Sequence, residues 1–132
     1  SKYAAQARLK AQTRQGRIVT LTSIAGPLAR PGDAIYPVAK QGLAGMVRAL
    51  AVEFGGQGIT SNGIAPGTFA TESNAALAQD PVKGPQVVGR KPLGRWARPA
   101  GIRAAAVFLA SQAASYVNGH IVVVDGGFSI TF

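Results

Sequence analysis

Two hydrophobic patterns alternate along the chain. Short, continuously apolar runs indicate buried strands, and they predict strands at 17–22, 58–64 and 121–124. Longer stretches repeat apolar residues every three or four positions, as helices do, and they predict helices over 2–14, 36–54 and 99–112. The resulting order, helix–strand–helix–strand–helix–strand, is typical of an α/β fold with a parallel sheet and helices on both of its faces.

The boundaries of these elements follow from glycine and proline. Gly16 is a plausible stop for the first helix, and Ala65-Pro66-Gly67 predicts a sharp turn after the second strand. Residues 68–92 are polar and interrupted by proline, so we expect an excursion with short helices near 73–79 and 84–90. In the last helix we expect an apolar face formed by Ile102, Ala106, Phe108 and Leu109. No linker divides the chain, and we expect one domain over residues 1–132.

Composition narrows the possible chemistry. The 132 residues are 47% hydrophobic and 14% charged, which favours a well-buried globular protein. With no Cys and a single His, His120, the chain has no disulfide, thiol nucleophile, Cys-ligated metal or multi-histidine metal site. We find neither a signal peptide nor an apolar run long enough to cross a bilayer. We therefore expect a cytoplasmic protein with no metal and no membrane partner.

The net charge is +9, from 14 basic and 5 acidic residues. Such a balance raises the possibility of nucleic-acid binding. The basic residues are scattered, however, and no aromatic residues are interleaved with them in a binding motif, so we expect no nucleic-acid partner. Two other interpretations stay open: a solvated basic surface, or an incomplete domain whose acidic residues lie outside these 132 residues.

The stretch from Ile18 to Gly42 carries the candidate chemistry. Ser23 follows the first predicted strand, and a Gly- and Pro-rich loop leads to Tyr36 and Lys40 at the start of the long helix. Residues four apart lie on one face of a helix. An ammonium beside a phenol favours the phenolate form of a group that otherwise ionises near pH 10. A hydroxyl, a phenol and an amine are together suited to proton transfer.

Five motifs occur in a fixed order around this stretch. They are Ser23 followed 13 residues later by Tyr36-x-x-x-Lys40, then Asn62-Gly-Ile-Ala-Pro66-Gly67-x-x-x-Thr71, Gly94-Arg95-Trp96, Val117-Asn118-Gly119 and Val124-Asp125-Gly126-Gly127. In this order and spacing the chain resembles the short-chain dehydrogenase/reductase family over essentially its whole length. Within the family it looks most like gluconate 5-dehydrogenases and 3-oxoacyl reductases. The resemblance implies a partial Rossmann-like, doubly wound parallel sheet made of the last three strands.

The resemblance also implies an activity and a site. It implies an NAD(P)-dependent oxidoreductase that interconverts a carbonyl and a secondary alcohol on a small sugar-acid or 3-oxoacyl substrate. Ser23, Tyr36 and Lys40 would be catalytic, with Ser23 bound to the substrate oxygen. The residues that would border NAD or NADP are Tyr36, Lys40, Pro66, Gly67, Phe69 and Thr71.

Other positions receive structural roles. We expect Asn62 and Trp96 to serve packing, His120 to have no catalytic role, and Asp125–Gly127 to lie at a subunit contact. The family also implies a homo-oligomer, a dimer or tetramer, through the helices at 2–14 and 36–54. Small residues on the second helix fit such close packing, namely Gly42, Gly45 and Ala49.

The chain departs from the family in what it lacks. It contains no T-G-x-x-x-G-x-G turn, which in the family meets the cofactor pyrophosphate at a helix N-terminus. The family's catalytic Asn would fall just before Ser1. We therefore expect the chain to correspond to the C-terminal half of such an enzyme. The alternative is a non-catalytic fragment or pseudoenzyme without the dinucleotide-binding half, which would bind NAD(P) poorly and turn over little.

Overall fold

The computed structural model describes residues 3, 6–7, 10–11, 15–29 and 31–131. Of the helix predicted over 2–14, residues 3, 6, 7 and 10 are helical, and the rest of that prediction lies outside the described residues. The strands are β1 (Gly16–Leu21), β2 (Ile59–Pro66) and β3 (Ile121–Val124). The α-helices are α1 (Ile35–Gly55), α2 (Ala75–Gln79), α3 (Lys83–Val88) and α4 (Arg103–Ala110). Single 3-10 turns lie at Glu72–Asn74, Pro99–Ile102, Gln112–Ala114 and Phe128–Ile130.

The three strands form one parallel sheet in the order β1-β2-β3. Ile18 of β1 pairs with Ser61 of β2, and Gly63 of β2 pairs with Ile121 of β3. Helix α1 connects the first two strands. The excursion segment, residues 68–92, and α4 connect the second to the third. This confirms the predicted parallel sheet built from the last three strands of a Rossmann-like fold.

Helices cover both faces of the sheet. On one face Leu50 and Phe54 of α1 pack with Ile59 of β2 in a buried cluster. On the other face Leu109 of α4 packs with Ile64 of β2. Side chains of a strand alternate between faces, and Ile59 and Ile64 are separated by an odd number of positions. The two clusters therefore lie on opposite sides of β2, which explains why nearly all of its residues are buried.

Helix α1 buries one stripe of its surface. Its buried residues are Pro37, Ala44, Val47, Leu50, Ala51 and Phe54. Pro37 lies in the first turn as predicted, where its missing N–H has no helical partner to lose. Gly42 and Gly45 face the other way: a Cβ added to either would meet no atom within 4 Å. Within this chain, therefore, they do not serve close packing against a strand.

Several predicted boundaries are wrong. Gly16 begins β1, because it pairs with Ile59. Strand β2 continues through Pro66, because Pro66 pairs with Val124 of β3. The helix predicted over 99–112 starts as a 3-10 turn and its α-helical part ends at Ala110. Phe108 is exposed, since the side that packs on the core follows Ile102 of the preceding 3-10 turn and Ala105, Ala106 and Leu109 of α4.

Asn62 joins β2 to the loop before β3. It is 1% exposed, its Oδ1 accepts the His120 N–H at 3.0 Å, and its Nδ2 donates to the Val117 carbonyl at 2.7 Å. A buried amide with both ends bonded holds the main chain in one register. This agrees with the structural role expected for Asn62.

No helix in the described part of the chain is both long enough and apolar enough to span a membrane.

Candidate active site

Ser23 lies at the carboxyl end of β1. The preceding residue, Thr22, is buried and donates both its N–H and its hydroxyl to the Ile64 carbonyl, which fixes the end of the strand against β2. The Ser23 Oγ accepts the Ala25 N–H at 3.1 Å. That bond uses a lone pair and leaves the hydroxyl proton to donate elsewhere. Ser23 is thus held by its own loop with its donor function intact.

Tyr36 and Lys40 form a pair on the first two turns of α1. The Lys40 Nζ lies 5.5 Å from the centroid of the Tyr36 ring, within the range of a cation–π contact. The same Nζ donates a hydrogen bond to the Leu21 carbonyl at 3.3 Å. Lys40 therefore links the phenol on α1 to the end of β1, close to Ser23 along the chain.

The predicted catalytic residues share one region but do not line one cavity. Ser23 and Lys40 line a cavity of about 240 Å³ with Ala44 and Arg48 of α1, Ala65 of β2 and Val123 of β3. Tyr36, which is 47% exposed, instead lines a shallow depression of about 580 Å³ with Pro31, Gly32 and Asp33. The structure thus brings Ser23 and Lys40 together, and Tyr36 joins them through Lys40.

The Pro66-Gly67 segment, at the end of β2, adjoins this region. The Pro66 carbonyl accepts the Ile24 N–H at 3.3 Å, so the loop after β1 and the end of β2 lie side by side. Gly67 donates its N–H to the Val124 carbonyl at 2.9 Å. A Cβ on Gly67 would lie 2.7 Å from Asp125, so contact with Asp125 is one structural reason for glycine at this position. The predicted close approach of Gly67 to a ligand stays a prediction.

Phe69 and Thr71 lie further along the same main chain. Neither lines the cavity of Ser23 and Lys40. The buried Phe69 side chain borders a separate depression of about 450 Å³, next to Leu93 and Val124. Thr71 is exposed, and its N–H donates to the Asn74 Oδ1 at 2.7 Å. Any contact of Phe69 or Thr71 with a cofactor would therefore lie outside this cavity, and that contact stays a prediction.

Two charged residues near the site, Arg48 and Lys91, were not among the site residues predicted from the sequence. Arg48 repeats the spacing of Lys40 and Ala44 along α1, and this periodicity is a signal that could have identified it. Lys91 is only 5% exposed. Burial lowers the pKa of Lys91, and the negative charge of Asp125 opposes that shift. No local pattern reveals a lysine buried by segments distant in sequence.

Asp125 is the acidic partner at this edge of the sheet. Burial alone would raise the pKa of Asp125, but hydrogen bonds from the Ser129 hydroxyl, the Ser129 N–H and the Gly127 N–H outweigh it and hold the pKa below its usual value. The two N–H groups lie 2.7 and 2.9 Å from the carboxylate. Among the described residues, no group of three or more His, Cys, Asp or Glu could hold a metal ion.

Comparison with known proteins extends over nearly the whole chain. The model of a family described as enoyl-(acyl carrier protein) reductase matches residues 1–129. Gluconate 5-dehydrogenase of Gluconobacter oxydans (strain 621H) is 39% identical over 117 residues, which cover 89% of this chain and 46% of that protein.

Two solved structures are similar in fold as well. Gluconate 5-dehydrogenase of Burkholderia cenocepacia J2315, in complex with NADP and tartrate, has a TM-score of 0.87 and 36% identity, covering 96% of this chain and 49% of that chain. A 4-hydroxyisoleucine dehydrogenase complexed with NADH has a TM-score of 0.94 and 28% identity. This match covers 99% of our chain and 54% of that chain. The chain therefore spans about half the length of the relatives that it matches.

Proposed function

The chain belongs to the short-chain dehydrogenase/reductase family, and on that basis we propose that the protein containing it is an NAD(P)-dependent oxidoreductase. It interconverts a carbonyl and a secondary alcohol on a small substrate. Ser23, Tyr36 and Lys40 carry the proton transfer.

The observation that carries this proposal is the pair formed by Tyr36 and Lys40. Their spacing alone is common, but here the Lys40 Nζ lies 5.5 Å from the Tyr36 ring and is anchored to the Leu21 carbonyl beside the Ser23 loop. A fixed positive charge near a phenol stabilises the negative charge that develops when the phenol gives up its proton. The arrangement supports Tyr36 as the acid and base.

The chemistry divides between the chain and its cofactor. A bound nicotinamide supplies hydride in reduction and accepts it in oxidation. During reduction the Tyr36 hydroxyl gives its proton to the carbonyl oxygen, and during oxidation the phenolate takes that proton from the alcohol. The Ser23 hydroxyl donates a hydrogen bond to the same oxygen and stabilises its developing charge.

The residues present fit one end of a dinucleotide. In open α/β sheets, ligands bind at the carboxyl ends of the strands, and here the loop after β1 contacts the end of β2 through Ile24 and Pro66. Tyr36 and Lys40 would hold the nicotinamide ribose, with main chain from Pro66 and Gly67 beside it and Phe69 and Thr71 beyond. The chain contains no Gly-rich phosphate turn. Its residues therefore fit the nicotinamide end and not the pyrophosphate end.

The substrate we propose is a sugar acid. The relative from Gluconobacter oxydans is a gluconate 5-dehydrogenase, and the basic side chains of Lys40 and Arg48, which line the cavity of Ser23, suit an anionic substrate. The runner-up is a 3-oxoacyl thioester, which the acyl carrier protein in the description of the family model favours. Activity of the intact protein on gluconate or 5-ketogluconate, compared with a 3-oxoacyl thioester, separates the two.

Substitution of Tyr36 tests the mechanism. In the intact protein, Tyr36→Phe should lower kcat roughly 100- to 10,000-fold, measured as NADH or NADPH formed or consumed, because the proton donor is gone. Tyr116→Phe is the matched control, since Tyr116 is fully exposed and lies outside the site. Equal activity in both variants would contradict the mechanism. Failure of the unsubstituted protein to bind NAD or NADP would contradict the proposed function itself.

The protein is further proposed to be a homo-oligomer. Residues of α1 spaced alternately by three and four form an exposed apolar stripe, made of Ile35, Val38, Gly42, Gly45, Ala49 and Val52. This is the spacing at which two helices pack side by side. The stripe supports an interface through α1, with a dimer or tetramer as the predicted assembly.

The cytoplasmic location stays a prediction.

A further inference from the structure

Lys91 is a buried charge without a role in the proton transfer described above. It lies at the end of the excursion segment and is 5% exposed, although lysine is almost never fully buried unless it is paired. Its Nζ donates to the Thr68 carbonyl at 3.5 Å and lies 5.8 Å from the centroid of the Trp96 ring. The side chain thus joins the two ends of the excursion, where it leaves the sheet and where it returns.

The acceptor, Thr68, follows the Pro66-Gly67 segment that would border the cofactor. Its carbonyl also accepts the Ala97 N–H at 3.1 Å, and Ala70 donates its N–H to the Ala97 carbonyl at 2.8 Å. Gly67, one residue earlier, is held to Val124 and packs on Asp125. Lys91 is therefore one of the few groups that hold this main chain from the side of the excursion.

Burial of the charged ammonium group of Lys91 is energetically unfavourable, and the packing of the side chain does not require a charge. Burial lowers its pKa, and Asp125 only partly opposes that effect. An apolar side chain of similar length would fill the same space beneath Trp96 without desolvating an ammonium. The hydrogen bond to the Thr68 carbonyl is the specific feature that a lysine provides at this position and an apolar side chain would not.

We propose that Lys91 is a positioning residue, which fixes the Thr68 main chain and thereby the Pro66-Gly67 segment at the end of β2, against which the dinucleotide binds. The inference rests on the proposed function, because it assigns this segment to cofactor binding. In this proposal Lys91 makes no direct contact with cofactor or substrate. It acts through the carbonyl of Thr68.

The test compares Lys91→Met with the unsubstituted intact protein. Methionine keeps the length and apolar packing but removes the charge and the donor. We expect the Kd for NAD or NADP, measured by isothermal titration, to rise roughly tenfold, because small displacements of positioning groups are costly. We expect the melting temperature to stay the same or rise, because the desolvated charge is gone. Lys91→Arg should restore binding to within about threefold, since it keeps the charge and a donor.

Each other outcome would overturn the inference. An unchanged Kd would show that the Thr68 contact does not matter for binding. A lower melting temperature or a failure to fold would show that Lys91 serves stability. Lys83→Met is the control for loss of a lysine, because Lys83 is exposed on α3. It should leave the Kd and the melting temperature unchanged.

A second readout does not depend on cofactor binding. The Ala97 N–H donates to the same Thr68 carbonyl as Lys91. In the protein without dinucleotide, the Ala97 amide should exchange its hydrogen about fivefold faster in Lys91→Met than in the unsubstituted protein. If the unsubstituted protein bound neither NAD nor NADP, the proposed function would fail, while faster exchange would still support the role of Lys91 at Thr68. Unchanged exchange would contradict that role.

Discussion

Gly67 packs directly against Asp125, so that a Cβ at Gly67 would lie 2.7 Å from both Cα and Cβ of Asp125. The contact joins the end of β2 to the residue that follows β3. It coincides with the hydrogen bond from the Gly67 N–H to the Val124 carbonyl. Two strand ends are held together where the proposed site lies, and any side chain at position 67 would push them apart.

Gly67→Ala should destabilise the protein by on the order of 1–3 kcal/mol, the usual cost of overpacking. The nearest atoms belong to the backbone and to the Cβ of Asp125, so no rotamer change can relieve the clash. Denaturant unfolding of the intact protein measures the effect as a shift in midpoint.

Gly56→Ala is the matched control for that substitution. Gly56 has negative φ and no atom within 4 Å of an added Cβ. The free energy of unfolding of Gly56→Ala should differ from that of the unsubstituted protein by less than about 0.5 kcal/mol. Equal effects at Gly56 and Gly67 would contradict the assigned clash.

Asp125 predicts a dependence of stability on pH. The folded protein holds the pKa of this carboxyl below its ordinary value of 3.8. A group with a lowered folded pKa contributes stability above its unfolded pKa, and this contribution is lost as pH falls through the folded pKa. The unsubstituted protein should therefore lose stability below about pH 4 more steeply than Asp125→Asn.

The measurement is the free energy of unfolding by urea at a series of pH values. At neutral pH Asp125→Asn should be the less stable protein, by roughly 1–3 kcal/mol, because the amide has a single acceptor oxygen and cannot accept both the Gly127 N–H and the Ser129 N–H, which bind different oxygens of the carboxylate. Parallel pH profiles of the two proteins would show that the Asp125 carboxylate does not stabilise the fold.

The exposed stripe of α1 predicts that a charged residue placed on it will weaken the assembly of the oligomer. Val52 is 86% exposed within the chain and lies on the stripe. In the intact protein, Val52→Lys should lower the oligomeric mass measured by light scattering, because a charge buried in a helix interface must be desolvated. Val82→Lys, on an exposed valine outside the stripe, should leave the mass unchanged. Dissociation by both variants, or by neither, would exclude α1 as the interface.

Local patterns were sufficient for much of the fold and part of the site. The period of α1 places Tyr36 above Lys40, and the contact between their side chains follows from helix geometry alone. The three continuous apolar runs each form a strand of the parallel sheet. The predicted boundaries were wrong where the end of an element depends on pairing with a segment distant in sequence. Strand β2 extends to Pro66 because β3 pairs with it, and no residue near Pro66 signals this.

The sequence by itself determined the order of the elements, the parallel sheet and the identity of Ser23, Tyr36 and Lys40 as a candidate set, because these depend on periodicity and on short-range spacing. Only the tertiary structure decided how they are arranged. It placed Ser23 and Lys40 in one cavity and Tyr36 outside it. It also buried Lys91, through contacts with Thr68 and Trp96 that exist only after the excursion folds back on the sheet. Burial depends on which distant segments meet, and a one-dimensional pattern does not contain that information.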